Sequence, residues 1–339
     1  MRALVTGAAG FVGQTLSRAL LDAGHAVTGL TPDDPSTAVL LSADHLGEID
    51  WVRGDVRRTE DVRRALDVAP PEAIFHLAGV SSVPGAAGDP GAAAEVNVVG
   101  VARLLAEVRV RKRVGVLDPA VLVVGSAEQY GRHDKSDLPL TEDAEQRPLT
   151  VYAATKAAQE ILALEAFRSE GVRVIAVRSF NHSGVGQSPS FLLPALVARA
   201  MALRGSTDRN ARLTIGNGAS VRDFLHVEDV VAAYIALVAR GRAGEAYNVA
   251  SGVGVSVKEL AVQVLSATGV KAPIAPDASL IRPVDVPALI GDSTRLRDAT
   301  GWEPAHTVRD IIDDLVRVAI RSAERSSPSR PPPPHASAR

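Results

Sequence analysis

Ala3-Leu-Val-Thr-Gly-Ala-Ala-Gly-Phe-Val-Gly13 reads as a short apolar strand, a glycine turn and the first residues of a helix. Leu16, Ala19, Leu20 and Ala23 continue it at helical spacing on one face. Strand, glycine loop and helix in that order make a cradle for a dinucleotide. Gly7 permits the tight turn. Gly10 has no side chain to keep the backbone off a pyrophosphate, and Gly13 lets the helix close on the strand. The helix N-terminus then faces the phosphate charge. The spacing is GxxGxxG rather than GxGxxG, with the strand before it and the helix after it.

The rest of the chain fits that start. Candidate strands at Ala26–Leu30, Trp51–Arg53, Ala73–Leu77, Val121–Val124 and Val172–Val177 alternate with helical patterns at Gln14–Ala23, Thr59–Leu66, Ala92–Arg109 and Ala153–Ser169. The alternation predicts an α/β fold, a Rossmann-type doubly wound parallel sheet covered on both faces, with ligands at the strand C-terminal ends. After Asn181 the character changes to helical pieces (Phe191–Leu203, Val227–Ala239, Ser256–Thr268, Val308–Ala323) between Gly- and Pro-rich loops. Short strands are expected at Leu213–Ile215 and Ala246–Val249. The expected division is a cofactor domain over 1–180, with 217–250 returning to the sheet, and a smaller C-terminal α/β substrate-binding domain over 181–323. The Ser/Pro/Arg-rich stretch 324–339, with prolines at 331–334, reads as a disordered tail.

Composition removes several classes of function. A chain of 339 residues with a formal charge of −2 has no global field for nucleic acid or anionic membrane. The basic clusters Arg57–Arg64 and Arg109–Arg113 lack aromatic neighbours to stack bases. With no cysteine there are no disulfides, thiolate zinc sites or cysteine nucleophiles. No two of the eight histidines stand at i,i+4, so no metal site is expected. No apolar run approaches the roughly 18 residues of a membrane span. The N-terminus starts directly with a strand and has no apolar leader, so the expected location is the cytoplasm.

Tyr152-Ala-Ala-Thr-Lys156 opens a helical pattern with tyrosine and lysine four apart on one face. A nearby ammonium favours phenolate, so Lys156 is expected to lower the Tyr152 pKa. Such a phenol can exchange a proton with an alcohol oxygen while hydride moves at the carbon. Ser126 follows the strand Val121–Val124 after one glycine, at a strand end where it can bond the same substrate oxygen. Glycine loop, serine and Tyr/Lys pair in this order point to an enzyme.

These motifs make the chain resemble an extended short-chain dehydrogenase/reductase, the family of nucleotide-sugar epimerases, dehydratases and reductases, from Met1 to about Ala319. The shared segments are Thr6–Gly13, Gly54-Asp55-Val56, His76-Leu77-Ala78, Asn97, the Ser/Tyr/Lys set and Arg222-Asp223-Phe224. The resemblance implies catalytic roles for Ser126, Tyr152 and Lys156. It implies cofactor contacts from Gly7, Gly10, Phe11, Val12, Gly13, Thr31, Asp55, Val56, Leu77, Ala78, Gly79, Asn97, Tyr152, Lys156 and Phe180. Substrate contacts are expected from Ser81, Ser126, Asn181, Arg222, Arg282 and Asp285. Arginine can fork onto phosphate oxygens, and Asp285 can accept from ribose hydroxyls.

Arg178-Ser-Phe-Asn-His-Ser-Gly-Val-Gly-Gln187, Val221-Arg-Asp-Phe224 and Arg282-Pro-Val-Asp-Val-Pro287 resemble GDP-4-keto-6-deoxy-D-mannose reductases, with GDP-mannose 4,6-dehydratases close by. The implied reaction is NAD(P)H-dependent reduction of a nucleotide-linked 4-keto-6-deoxyhexose to a GDP-6-deoxyhexose such as GDP-rhamnose. The alternatives are a dehydratase with Glu128 as base, another NDP-sugar epimerase or dehydratase, and a non-catalytic cofactor-binding regulator. The second strand ends at Thr31-Pro-Asp-Asp34 without an acid at its last position or a nearby arginine, which leaves NAD against NADP open. Gly79 stands where relatives carry alanine, which is expected to leave room near the nicotinamide. Helical faces around Ala92–Arg109 and Ala153–Ser169 imply a homodimer, by analogy with relatives.

Overall fold

Strand β1 (Arg2–Thr6) buries Ala3, Leu4, Val5 and Thr6, as a central strand covered on both faces must. The computed structural model describes residues 1–204, 206–208, 210–281 and 284–326. After β1 come α1 (Phe11–Asp22), β2 (Ala26–Thr31), α2 (Ala43–Glu48), β3 (Ile49–Arg53), α3 (Thr59–Val68), β4 (Ala73–His76), α4 (Val83–Gly88), α5 (Pro90–Ala94), α6 (Gly100–Arg113) and β5 (Ala120–Val124). Next follow α7 (Val151–Glu170), β6 (Val174–Ser179), β7 (Asn181–Ser183), α8 (Leu192–Leu203), β8 (Leu213–Ile215), β9 (Val221–His226), α9 (Val227–Arg240) and β10 (Ala246–Val249). The chain ends with β11 (Gly254–Ser256), α10 (Val257–Thr268), β12 (Ile274–Pro276), β13 (Ala288–Leu289), α11 (Thr294–Thr300) and α12 (Val308–Ser326).

The main sheet has seven parallel strands in the order β10-β6-β5-β4-β1-β2-β3. Strand order reverses between β1 and β4, the crevice in which such sheets bind ligands. One face packs Leu16, Leu20, Val230, Tyr234 and Leu237 from α1 and α9 against Val5, Phe75 and Leu122. The other packs Val62, Leu66, Leu104, Val108 and Ala163 from α3, α6 and α7 against Leu4, Ile74 and Val121.

The smaller lobe is built around β9, which pairs antiparallel with β11 and parallel with β7 and β13, beside the two-stranded sheet β8-β12. Its core comes mainly from α8, α10 and α12. The expected return of 217–250 to the main sheet is therefore corrected. Helix α9 and β10 return, whereas Val221–His226 lies in the small sheet. Helix α11, in the other half of the expected division, also packs on α9 and β10. Helix α12 runs to Ser326, so the tail does not begin at 324, and the rest of that stretch lies outside the described residues. The pattern Ala92–Arg109 is interrupted at Glu95–Val99 by a π-helical turn that buries Asn97. Among the described residues no helix is long and apolar enough to cross a membrane.

Candidate active site

The strand ends converge on one cavity of about 860 Å³, large enough for a cofactor-sized ligand. Its floor is the glycine loop. Gly7 has φ 72°, and a Cβ on it would sit 3.0 Å from the Ala78 nitrogen. A Cβ on Gly13 would run into the Gly7 carbonyl oxygen and come within 2.8 Å of the Ala8 Cα. Gly10 is the N-cap of α1 with no side-chain cap, so the first amides of α1 keep no side-chain partner there. This geometry fits the pyrophosphate of a dinucleotide.

Most expected site residues line this cavity. Gly7, Gly10, Phe11, Val12 and Gly13 do so from the loop, Thr31 from β2, Asp55 and Val56 from the turn after β3, and Leu77, Ala78, Gly79 and Ser81 after β4. Ser126, Glu128, Tyr152, Lys156, Phe180 and Asn181 face the same space. Asp55 is held below the usual carboxylate range, chiefly by side-chain hydrogen bonds from Arg57, at 2.6 and 2.9 Å to Oδ2.

Asn97, Arg222, Asp285 and Gly79 stand otherwise than expected, and Arg282 is not among the described residues. Asn97 does not line the cavity. Its Oδ1 accepts from the Val80 amide at 2.8 Å, and its Nδ2 donates to Thr155 at 2.9 Å, so it pins the loop after β4 to α7. Arg222 and Asp285 also lie outside the cavity lining and hold each other at 2.6 Å. Arg222 further donates to the carbonyls of Val221 and Val286, and Asp285 accepts from Ser220 and Asn217, so the pair fastens β9 to the Asp285 loop. Gly79 leaves no spare room, because a Cβ there would meet Asn97 Oδ1 at 2.8 Å and Lys156 Nζ at 3.1 Å.

The Tyr152–Lys156 expectation also changes. Burial pushes the Tyr152 phenol up to about 12; a hydrogen bond with the Ser126 side chain opposes this, and the Glu128 charge adds to it. Lys156 does not offset the rise, because its Nζ donates to the Val124 carbonyl at 2.8 Å and lies 3.3 Å from Gln159 Oε1. Burial lowers the Lys156 ammonium to about 8. The site thus holds the phenol protonated at neutral pH, with its proton in place but held more tightly than in a free tyrosine.

Sequence reasoning left out His182 and Tyr234, which also line the cavity. His182 Nδ1 lies 3.0 Å from the Phe180 carbonyl, which can only accept, so Nδ1 carries the hydrogen and Nε2 keeps its lone pair. Burial lowers its pKa, and its ring stacks on Phe11 at 6.4 Å. Tyr234 shares a 2.6 Å hydrogen bond with Ser179. His182 sat inside the Arg178–Gln187 segment and was visible there. Tyr234 lay in an apolar helical pattern with no signal of its own.

The fold does bring His226, Glu228 and His306 together from distant segments. Their bonding does not favour a cation. His226 Nδ1 accepts from the Glu228 amide at 3.1 Å, which leaves the hydrogen on Nε2, and the Glu228 carboxylate pairs with Arg18 at 2.9 Å.

A glycine cradle opening onto a serine, a tyrosine and a lysine defines an extended short-chain dehydrogenase/reductase, an NAD(P)-dependent class acting on nucleotide sugars. The chain belongs to the GDP-mannose 4,6 dehydratase family, whose model matches residues 4–315. It is 34% identical to the GDP-6-deoxy-D-mannose reductase of Pseudomonas aeruginosa over 92% of this chain and 94% of that one. It is similar to the solved structure of RMD from Pseudomonas aeruginosa complexed with NADPH, with a TM-score of 0.78 and 31% identity over 93% of this chain and 97% of the other. The UDP-glucose 4-epimerase of Thermus thermophilus in complex with NAD matches with a TM-score of 0.80 and 26% identity, over 94% and 98% of the two chains.

Proposed function

We propose that this chain reduces a nucleotide-linked 4-keto-6-deoxyhexose, most simply GDP-4-keto-6-deoxy-mannose, to a GDP-6-deoxyhexose such as GDP-rhamnose. The observation that carries the reading is the meeting of Ser126, Tyr152 and Lys156 in the cavity floored by the glycine loop. Bound NAD(P)H supplies hydride to the C4 carbonyl carbon. Tyr152 gives its phenolic proton to O4, so the ketone gains one hydride and one proton and becomes an alcohol. Ser126 orients O4 through its hydroxyl. Lys156 keeps a positive charge beside the reacting groups, and solvent returns the proton to the phenolate. The similarity to the Pseudomonas reductase supports the GDP-linked substrate.

Glu128 lines the cavity close enough to raise the phenol's pKa, which supports a second reading, 4,6-dehydration with Glu128 as base. Cofactor stoichiometry separates the two. A reductase consumes one NADH or NADPH per 4-keto sugar. A dehydratase converts GDP-mannose with no net consumption, and a binding-only protein turns over neither.

A cytoplasmic homodimer completes the proposal. Dependence on reduced nicotinamide supports the location. Exposed Val110 on α6 and Ile161 on α7, 54% and 62% accessible, support a two-copy contact through these helices. Sedimentation is expected to give twice the chain mass, and a monomer at micromolar concentration contradicts it.

A further inference from the structure

Ser126 and Tyr152 stand on different elements, the turn after β5 and the first turn of α7. Catalytic groups on separate elements need a device that keeps them within about half an ångström of working geometry. The structure contains one behind the cavity. The Ser126 backbone amide donates to Gln129 Oε1 at 2.7 Å, and Gln129 Nε2 donates to Glu160 Oε2 at 2.8 Å. Glu160 lies on α7, eight residues beyond Tyr152, so helix rise holds the two at a fixed separation. Arg178 forks onto the Glu160 carboxylate at 2.6 and 3.0 Å, and Gln146 donates to it at 2.7 Å. Gln129 is fully buried, and Glu160 and Arg178 are 4% and 6% exposed.

We propose that Gln129 is a positioning residue for the reaction proposed above, registering the Ser126 hydroxyl against the Tyr152 phenol by tying the Ser126 backbone to Glu160 on α7. The amide orientation is forced, because its oxygen must face the N–H and its nitrogen the carboxylate. A buried ion pair such as Glu160–Arg178 adds little stability over apolar residues of equal volume. A geometric task gives a reason for a polar ruler at this place. Gly125 makes room for it, since a Cβ there would collide with Gln129 Oε1.

The test compares wild type, Gln129→Met, Gln129→Glu, Ser126→Ala and the double variant Ser126→Ala/Gln129→Met, with Tyr152→Phe as control, on the 4-keto sugar. Gln129→Met is expected to lower kcat about tenfold, the scale of a small misplacement, with KM and dinucleotide affinity within twofold. In the Ser126→Ala background it is expected to change kcat less than twofold. An unchanged kcat, or a full loss persisting without the Ser126 hydroxyl, overturns the proposal. Gln129→Glu is expected to restore kcat at low pH, where the introduced carboxyl donates to Glu160. As it ionises among Glu160, Arg178, Glu142 and Tyr130, kcat is expected to fall. A pH profile equal to wild type overturns the proposal even where Gln129→Met does not fold. If wild type consumes no cofactor, the functional reading fails by itself. Hydrogen exchange then decides the positioning: Gln129→Met is expected to speed exchange of the Ser126 amide and leave α7 unchanged, and equal exchange overturns it.

Discussion

Lys156 shows how this site sets chemistry against stability. Its Nζ is enclosed beneath the cavity and bonded to Val124 O, and burial lowers its pKa from 10.5 to about 8. A lysine with a depressed folded-state pKa costs stability wherever the unfolded chain would be charged. The cost is complete below pH 8 and disappears as pH rises to 10.5. Lys156→Met is therefore expected to lose at least a hundredfold in kcat. It is also expected to unfold later than wild type at pH 7, by on the order of 2 kcal/mol. Urea titrations at pH 7 and 10.5 check this, and a gap that widens with pH contradicts it. Wild-type activity is expected to decline as pH rises through 8, where the ammonium is lost. The Ser/Tyr/Lys set was legible because each residue stands at a fixed place on a strand end or helix start. The direction of the Tyr152 shift was not legible. It depends on where Lys156 reaches, and the sequence does not show that Val124 O and Gln159 receive it.

At the scale of elements, the glycine loop is the part most exposed to a single atom. Gly13→Ala would drive a methyl group into the Gly7 carbonyl. The expected cost is about 1–3 kcal/mol with dinucleotide affinity weakened more than tenfold, measured by thermal unfolding and by titration with NADH and NADPH. Affinity within twofold of wild type would contradict the cradle. The strands of the main sheet were readable because each is a continuous apolar run. The strands of the smaller lobe were largely unreadable. β7, β11, β12 and β13 have two or three residues each, too few to show a period. β9 reads Val-Arg-Asp-Phe-Leu-His, and its charged residues look like a binding loop. They are buried because partners wait for them: Arg222 has Asp285, and Asp223 accepts from Ser251, Gly252 and Gly291. Such pairings depend on segments some thirty to seventy residues apart and leave no local trace. The π-helical turn at Asn97 is equally silent, since its composition continues the helical pattern on both sides.

The whole molecule should be sensitive to acid below neutrality. Burial, with a smaller contribution from Lys156, lowers His76 to about 3, and burial also lowers His182 and His226. Histidines with depressed folded-state pKa values leave the unfolded chain binding more protons, so stability present above pH 6.5 is lost as pH falls toward 3. His76 alone is expected to remove roughly 3 kcal/mol by pH 4. Urea midpoints from pH 7 to 4 should fall steadily, and His76→Asn should flatten the slope. A flat wild-type profile would contradict the burial. The two-lobed arrangement was legible in outline from the change of character after Asn181. Its interleaving was not, because α9, β10 and α11 return to the main sheet through packing that only the assembled sheet defines.

The central claim is that the Tyr152 phenol and a reduced nicotinamide meet at the C4 carbonyl of a nucleotide sugar. It is tested most directly by supplying GDP-4-keto-6-deoxy-mannose with NADH or NADPH deuterated at the transferable position and weighing the product. The expected product carries one deuterium on carbon and one solvent proton on oxygen, with equimolar cofactor oxidised, and Tyr152→Phe yields almost none. A product free of deuterium with the cofactor intact, or unchanged turnover in Tyr152→Phe, would contradict the account.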